Sequence, residues 1–192
     1  LVLPLMQTMD AFLVPGRLQA AGFSTAEATG LYGQLSGMAG AIINLPFIIT
    51  TALAASLVPA IAHSIASGKA DAVKGQFSTA MLLALIIVLP ASVGLLVLAE
   101  PICVLLYDEP AAGIALAWLA PTVLAVGLFQ TSTGALQGMG RAVAPVISLL
   151  WAVIIKGILT YTLTVIPSLG IRGAAIGTVV GFLAASFRNI FV

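Results

Sequence analysis

The chain has 192 residues, of which 61% are hydrophobic and only 7% are charged, whereas a soluble globular domain carries roughly 25% charged residues. A soluble protein of this length could not bury so much apolar surface, so the composition excludes a soluble domain and predicts an all-α integral membrane protein. The formal net charge of +1 says little by itself, and the one cysteine, Cys103, excludes an internal disulfide.

Charge-poor runs near the roughly 20 residues that a helix needs to cross a bilayer predict six spans, in a single membrane domain over residues 1–192. They lie at about 1–16, 31–66, 76–98, 113–138, 143–166 and 171–188. After the first span, Ser24, Thr25 and Glu27 predict a helix start near Ala26. After the third span, the segment EPICVLLYDEPAAG is predicted as a loop that ends in a turn at residues 108–110.

The second span is organised around an uncharged stretch from Asn44 to His63 that contains Pro46 and Pro59. At roughly 1.5 Å per residue, residues 31–66 exceed the thickness of a bilayer core, so this helix must tilt, kink or protrude. Two short spans that turn at residues 44–46 are the alternative. We reject that alternative because a turn there would leave backbone groups unpaired in lipid.

The remaining charges divide between the two sides of the membrane. One side has four basic residues and one acid: Lys69, Lys74, Arg141, Arg188 and Asp71. The other side has two basic residues and four acids: Arg17, Arg172, Glu27, Glu100, Asp108 and Glu109. The positive-inside rule therefore places the first group in the cytoplasm.

Glycines at four-residue spacing predict close helix packing. They are Gly173, Gly177 and Gly181 in the last span, and Gly33 and Gly37 near the start of the second. This small-xxx-small pattern is typical of membrane helices whose backbones approach closely. We interpret both sets as bundle contacts.

Enzyme signatures are absent from the sequence. It contains no GxxxxGK(S/T) loop, no HExxH, no GxSxG and no paired cysteines, so nucleotide hydrolysis, zinc chemistry and acyl transfer lack their parts. We expect a protein that is not an enzyme, with no metal, no cofactor and no nucleic-acid partner.

Two ionisable residues lie inside predicted spans, where a charged side chain indicates a functional role by default. Lys156 is the stronger candidate of the two. Small and polar residues flank it at four-residue steps, namely Ser148, Ala152, Thr160 and Thr164. This stripe predicts a helix that lines a water-filled cavity, where a cation could hold an anionic group of a substrate. A structural ion pair, or bonds to helix carbonyls, is an equally weighted alternative.

Asp10 is the second such residue, and a buried carboxylate there is a plausible proton site. Its alternative role is a tie to Lys156 or to a nearby hydroxyl. In the fourth span, Gln130, Thr133 and Gln137 lie at i, i+3 and i+7 and could donate hydrogen bonds to a sugar, although such residues often bond across helices instead. With Thr160, these residues complete the predicted site.

Several segments resemble a known family. They are DAFLVPGRLQAAGFS (10–24), ATGLYGQLSGMA (28–39), INLPFIITTALAASLVPAIA (43–62), LQGMGR (136–141) and GIRGAAIG (170–177). In these segments the chain is similar to the sporulation and polysaccharide-biosynthesis flippases of the multidrug/oligosaccharidyl-lipid/polysaccharide exporter superfamily. Relatives often carry an acid shortly after LVPAI, where this chain has His63.

The resemblance implies one lobe, helices seven to twelve, of a two-lobed alternating-access transporter in the bacterial plasma membrane. We expect a fragment of a longer protein, with membrane lipid, a lipid-linked oligosaccharide and the N-terminal lobe of the same protein as partners. In that family a cationic residue of the cavity meets the lipid pyrophosphate, and Lys156 is our candidate by position. A cation-coupled multidrug exporter of the same superfamily and a non-transporting scaffold for cell-wall or spore-cortex synthesis are the alternatives.

Overall fold

The computed structural model describes residues 2–192, with side chains described from Met6 onward except at residue 70. Helices make up nearly all of this part of the chain, and no strand occurs in it. They are α1 (Val2–Ala20), α2 (Thr25–Gly33), a π-helical segment (Gln34–Ala39), α3 (Gly40–Ala66), α4 (Ala70–Val97), α5 (Ala99–Tyr107), α6 (Ala111–Leu119), α7 (Pro121–Gly138), α8 (Val143–Leu163) and α9 (Ile171–Phe191).

Five helical units among the described residues are long and apolar enough to cross a membrane. They are Thr25–Ala66, Asp71–Val97, Ala111–Gly138, Val143–Leu163 and Ile171–Phe191. The first predicted span is α1, a 19-residue helix that carries Asp10 and Arg17. Many large apolar side chains stay exposed on the outside of the bundle, as lipid contact requires. The all-α membrane fold is therefore confirmed.

The predicted long second span is one continuous helical unit of 42 residues. It begins with a capping box, in which Ser24 accepts a hydrogen bond from the Glu27 backbone N–H and the Glu27 carboxylate accepts one from the Ser24 backbone N–H. The helix runs through Pro46 without a turn, so the rejection of two short spans is correct. The departure from α-helical geometry lies earlier, in the π-helical segment Gln34–Ala39.

The segment after the third span was predicted as a loop, and this prediction is wrong. Residues Ala99–Tyr107 form α5, which packs against α6. The side chain of Cys103 is fully buried, and burial raises the pKa of its thiol, so the thiolate, which is the nucleophile toward alkylating reagents, is disfavoured. The apolar run forms a helix because its buried side has α6 to pack against. The chain then turns at Asp108, which adopts the left-handed conformation with φ of 55°.

Helix α7 is the centre of the bundle and contacts α3, α4 and α9. Its glycines allow the close approach. A Cβ at Gly134 would lie 2.5 Å from the carbonyl oxygen of Ala54, and one at Gly127 would lie 2.6 Å from Cγ1 of Val88. Gly138 sits one turn further along, against α3. The main small-xxx-small contact of α3 is therefore with α7.

Gly33 and Gly37 were predicted to make such contacts, and within the described residues they do not. A Cβ at either position would meet nothing within 4 Å, and both glycines are exposed. They lie at the α2 end and in the π-helical segment, on a face that no described helix covers. Spacing alone predicts that two helices can approach closely, but not that a neighbour is present.

The prediction for the last span is confirmed. The α8–α9 seam consists of Gly173, Gly177 and Gly181 packed against α8. Any Cβ added to these glycines would lie between 2.6 and 2.9 Å from atoms of α8, closer than real Cβ atoms come. Backbone contact of this kind stabilises membrane helix pairs through dispersion, since lipid leaves little hydrophobic driving force.

The charged residues lie at the two ends of the bundle, as predicted. At one end, Arg17 stacks on the ring of Tyr161 at 3.9 Å from its centroid and donates to the Tyr161 carbonyl. At the other end, Arg141 donates to the carbonyl of Val192, and Arg188 donates to the carbonyl of Ala144 at the start of α8. Which end faces the cytoplasm stays a prediction of the positive-inside rule.

Candidate functional site

The main cavity has a volume of about 460 Å³ and lies between α1, α2, the π-helical segment, α3, α7, α8 and α9, with one residue from α6. We call it the central cavity. Its walls are largely apolar, with Phe47, Val126 and Phe182 among the lining residues. The larger polar side chains that line it are Gln7, Asp10, Tyr32, Asn44, Gln130 and Lys156. A mostly apolar cavity with a few convergent polar groups is the usual form of a small-molecule site.

Its charged wall is an ion pair between α1 and α8. Lys156 Nζ lies 2.5 Å from Asp10 Oδ2, and the two side chains are only 6% and 18% exposed. The other carboxylate oxygen, Oδ1, is buried and has no hydrogen-bond partner among the described residues. The structural pair that the sequence left as one alternative is therefore present, and it lies on the wall of a cavity.

A neutral polar group lies on the α7 wall. The Thr50 hydroxyl donates a hydrogen bond to Oε1 of Gln130, which fixes the amide across the α3–α7 contact. Nε2 of Gln130 has no partner in the described part of the chain and is left to donate into the cavity. Thr50 is fully buried and had not been predicted. It acts through Gln130, whose orientation it sets.

Thr122 is a second cavity residue that the sequence did not single out. It is 3% exposed, lines the cavity, and its hydroxyl has no partner among the described residues. A buried hydroxyl without a partner costs free energy unless a ligand or water satisfies it. Thr122, Val126 and Gln130 are spaced i, i+4 and i+8 along α7, so the row of side chains on that helix was the available signal.

Three of the predicted site residues lie outside this cavity. Thr133 accepts a hydrogen bond from Asn189 Nδ2 at 3.1 Å, and Gln137 is exposed near the far end of α7. Thr160 is fully buried beside Gly177, whose added Cβ would lie 2.8 Å from its Oγ1. The structure does not bring these three residues into the cavity, which extends along α7 only as far as Gln130, and a substrate role for them stays a prediction.

The predicted polar stripe on α8 is likewise mostly a packing face. Ser148, Ala152, Thr160 and Thr164 are all fully buried, and none of them lines the cavity. They face the α8–α9 seam, where small side chains let two helices touch. Only Lys156, in the middle of this stripe, reaches the cavity. Among the residues that the structure describes, no three His, Cys, Asp or Glu side chains are grouped closely enough to hold a metal ion.

The helical membrane fold and its central cavity define a multi-pass membrane protein with an ion pair on the wall of a cavity inside the bundle. The chain belongs to the MatE family, whose model matches residues 35–162. This confirms the resemblance seen in the sequence at the level of the family. No solved structure matches the chain.

Three relatives from Bacillus subtilis (strain 168) are similar over most of the chain. Stage V sporulation protein B is 32% identical over 180 residues, which is 94% of this chain and 35% of the relative. The uncharacterized membrane protein YabM is 27% identical over 191 residues, 100% of this chain and 35% of the relative. Lipid II flippase MurJ is 29% identical over 150 residues, 75% of this chain and 27% of the relative. The chain spans about a third of the length of these proteins.

Proposed function

We propose that this chain is one lobe of a two-lobed flippase, helices seven to twelve, that carries a lipid-linked oligosaccharide or peptidoglycan precursor across the bacterial plasma membrane. The family and the name of one relative, lipid II flippase MurJ, support transport of a lipid-linked substrate. The chemistry of the central cavity also supports the proposal, because the cavity presents one cation, one anion and several neutral hydrogen-bonding groups in an apolar setting.

The observation that carries the proposal is the placement of Lys156. Its ammonium is the only cation that lines the cavity within the described residues, and it lies against a carboxylate oxygen at 2.5 Å. A pyrophosphate oxygen is chemically similar to that carboxylate oxygen, so an incoming phosphate can replace Asp10 as the hydrogen-bond acceptor. In an apolar cavity such charge-assisted bonds are stronger than in water.

Asp10 then has a defined role in the empty protein. An isolated ammonium in a membrane helix is costly, and the carboxylate compensates it until the substrate arrives. The exchange of partners keeps Lys156 paired in both states. Because α1 contacts α8 and α9 less extensively than those two helices contact each other, opening the pair also loosens a weakly held helix.

The neutral groups suit the sugar part of such a substrate. Gln130 is held by Thr50 and presents its amide, and the hydroxyl of Thr122 has no partner among the described residues. Both lie on α7, whereas the charged pair is formed by residues of α1 and α8. A cavity lined by both charged and neutral polar groups fits a ligand that has a charged end and a hydroxyl-rich part.

The ion pair weighs against a cation-coupled drug exporter, the alternative from the same superfamily. A coupling cation needs an acid whose negative charge is not already balanced, and in this chain the charge of Asp10 is balanced by Lys156. A non-transporting scaffold, the other alternative, has no use for a charged cavity, so it predicts indifference to neutral substitutions there.

The test uses the full-length protein in a strain depleted of its flippase, with protein abundance and growth as the two readouts. Lys156→Met combined with Asp10→Asn removes both charges while keeping the size of the side chains. We expect normal abundance and lost growth, because no buried charge is stranded but the phosphate has no cation. Thr160→Val is the matched control on the same helix and should grow normally. Normal growth of the double variant at normal abundance would refute the substrate role.

A further inference from the structure

A second hollow opens on the outside of the bundle, between α3 and α4. It has a volume of about 410 Å³ and is separate from the central cavity, with which it shares no lining residue. We call it the α3–α4 groove. Its floor is made by the buried side chains of Leu57 and Ala80. The walls of the groove include small residues that leave space for a ligand, namely Ala60, Ala72 and Gly75.

The groove offers few partners to a polar ligand, namely the Thr79 hydroxyl and Oε1 of Gln76, which is buried without a partner among the described residues. The Ser56 hydroxyl already donates to the carbonyl of Leu53 at 2.8 Å, and Nε2 of Gln76 donates to Oγ of Ser64 at 2.9 Å. The remaining lining is mostly aliphatic, with Leu53 and Leu83 at the upper end. A sugar or a peptide backbone would lose its hydrogen bonds to water there and gain few in return. The lining therefore suits a hydrocarbon chain.

The length of the groove corresponds to one leaflet. Along α4 it runs from Ala72 to Leu83, which is about 16 Å at about 1.5 Å per residue. The hydrocarbon core of a bilayer is about 30 Å thick, so a lipid tail of one leaflet reaches about half of that distance. The groove begins near Ala70, where α4 starts, and stops about halfway along that helix.

A basic residue lies at the open end of the groove. Lys69 immediately precedes α4, one turn before Ala72 and on the same side of the helix, whereas Lys74 comes two residues after Ala72 and so lies on the opposite side. His63 lies in the last turn of α3. Neither lysine forms an ion pair within the described part of the chain, and Asp71 is the one acid in this segment. Basic residues at this depth attract anionic headgroups.

We propose that the α3–α4 groove binds one anionic phospholipid of the leaflet on the basic side, with an acyl chain in the groove and the headgroup beside Lys69. This lipid is distinct from the transported substrate, which the central cavity would hold. It fills a surface where α3 and α4 leave a gap, and so it holds the two helices in a fixed relation.

The experiment measures the phospholipid that stays bound to the full-length protein after mild detergent extraction, by native mass spectrometry. The protein is first exposed to mixed vesicles of phosphatidylglycerol and phosphatidylcholine in equal amounts. Gly75→Leu and Ala72→Leu each fill the groove, and a Cβ at Gly75 would meet nothing within 4 Å. Gly94→Leu is the matched control on the same helix, since Gly94 is equally unobstructed and lies outside the groove.

We expect the wild type and Gly94→Leu to retain phosphatidylglycerol and both groove variants to lose it. Lys69→Gln should reduce the preference for phosphatidylglycerol by about five-fold, whereas Lys74→Gln, on the opposite side of α4, should reduce it less. Equal retention of the two lipids by the wild type would overturn the proposal, as would full retention by both groove variants. A loss of abundance in both groove variants, with lipid retention unchanged, would show that another part of the protein covers the groove. That result would also overturn the proposal.

Discussion

Helix α8 has two polar regions that look alike in sequence and differ completely in their surroundings. Lys156 reaches the central cavity and pairs with Asp10 at 2.5 Å. Thr160, one turn further on, is sealed by Gly177 in the α8–α9 seam. A polar side chain in a membrane helix therefore indicates a cavity only where no neighbouring helix packs closely against it. Where the facing helix presents glycine, the same side chain is a packing element.

The same contrast occurs along α7. Thr122 and Gln130 face the cavity, whereas Gly134 and Gly138 bring the helix against α3. One end of the helix is a binding wall and the other a structural support. The cavity stays open because the glycine contacts hold the other ends of the helices together, so stability and binding are assigned to different stretches of the same element.

The largest effect should come from breaking the ion pair on one side. Lys156→Met leaves the Asp10 carboxylate in an apolar wall without a partner, at a cost of about 3–5 kcal/mol. Adding Asp10→Asn should restore most of the stability, because neutral replacement of a buried pair is often harmless. Thermal unfolding of the purified variants tests this coupling. Additive losses in the double variant would show that the pair is not a stabilising contact.

The next largest effect should come from a methyl group in the seam. In Gly173→Ala, the new Cβ would lie 2.6 Å from the carbonyl carbon of Leu163, which is backbone and cannot rotate away. Overpacking of this kind costs about 1–3 kcal/mol, more than the gain of about 1 kcal/mol from helix propensity. We expect a clear fall in melting temperature and abundance of the full-length protein. Gly94→Ala, with nothing within 4 Å, is the control and should be at least as stable as the wild type.

A smaller effect is expected at two buried threonines whose hydroxyls lack partners within the described residues, Thr122 and Thr160. Thr122→Val should weaken substrate binding by up to about ten-fold, since one neutral hydrogen bond contributes about 0.5–1.5 kcal/mol. Thr160→Val should leave binding unchanged, because no ligand can reach the seam. Measured affinities of the two variants at equal abundance separate the two regions. Equal losses at both positions would contradict the division.

Much of this arrangement was predictable from sequence because every backbone polar group in lipid must be hydrogen-bonded within the protein. Long apolar runs must form helices, and the Ser24–Glu27 capping box marks a helix start by local chemistry. The Asp10–Lys156 pair was one of two interpretations, since few other partners exist for a buried lysine. What could not be predicted depends on which helices become neighbours. Thr122, Thr50 and the exposed Gly33 show this, because their roles are decided by distant segments or by the lack of one.

The helix α5 shows the same limit at shorter range. Its apolar run was predicted as a loop because acids and turn residues surround it. It is helical because Cys103 and Ala99 are buried, with α6 packed alongside. Burial on one face overrides weak local signals.

The central claim is that Lys156 meets the anionic group of the substrate, and direct binding tests it best. The measurement is the affinity of purified full-length protein for undecaprenyl pyrophosphate, compared among the wild type, Thr160→Val, and Lys156→Met with Asp10→Asn. A hydrogen bond to a charged group contributes about 1.5–3 kcal/mol, so the double variant should bind about 10- to 150-fold more weakly. Thr160→Val should bind like the wild type. A folded double variant with wild-type affinity would contradict the account.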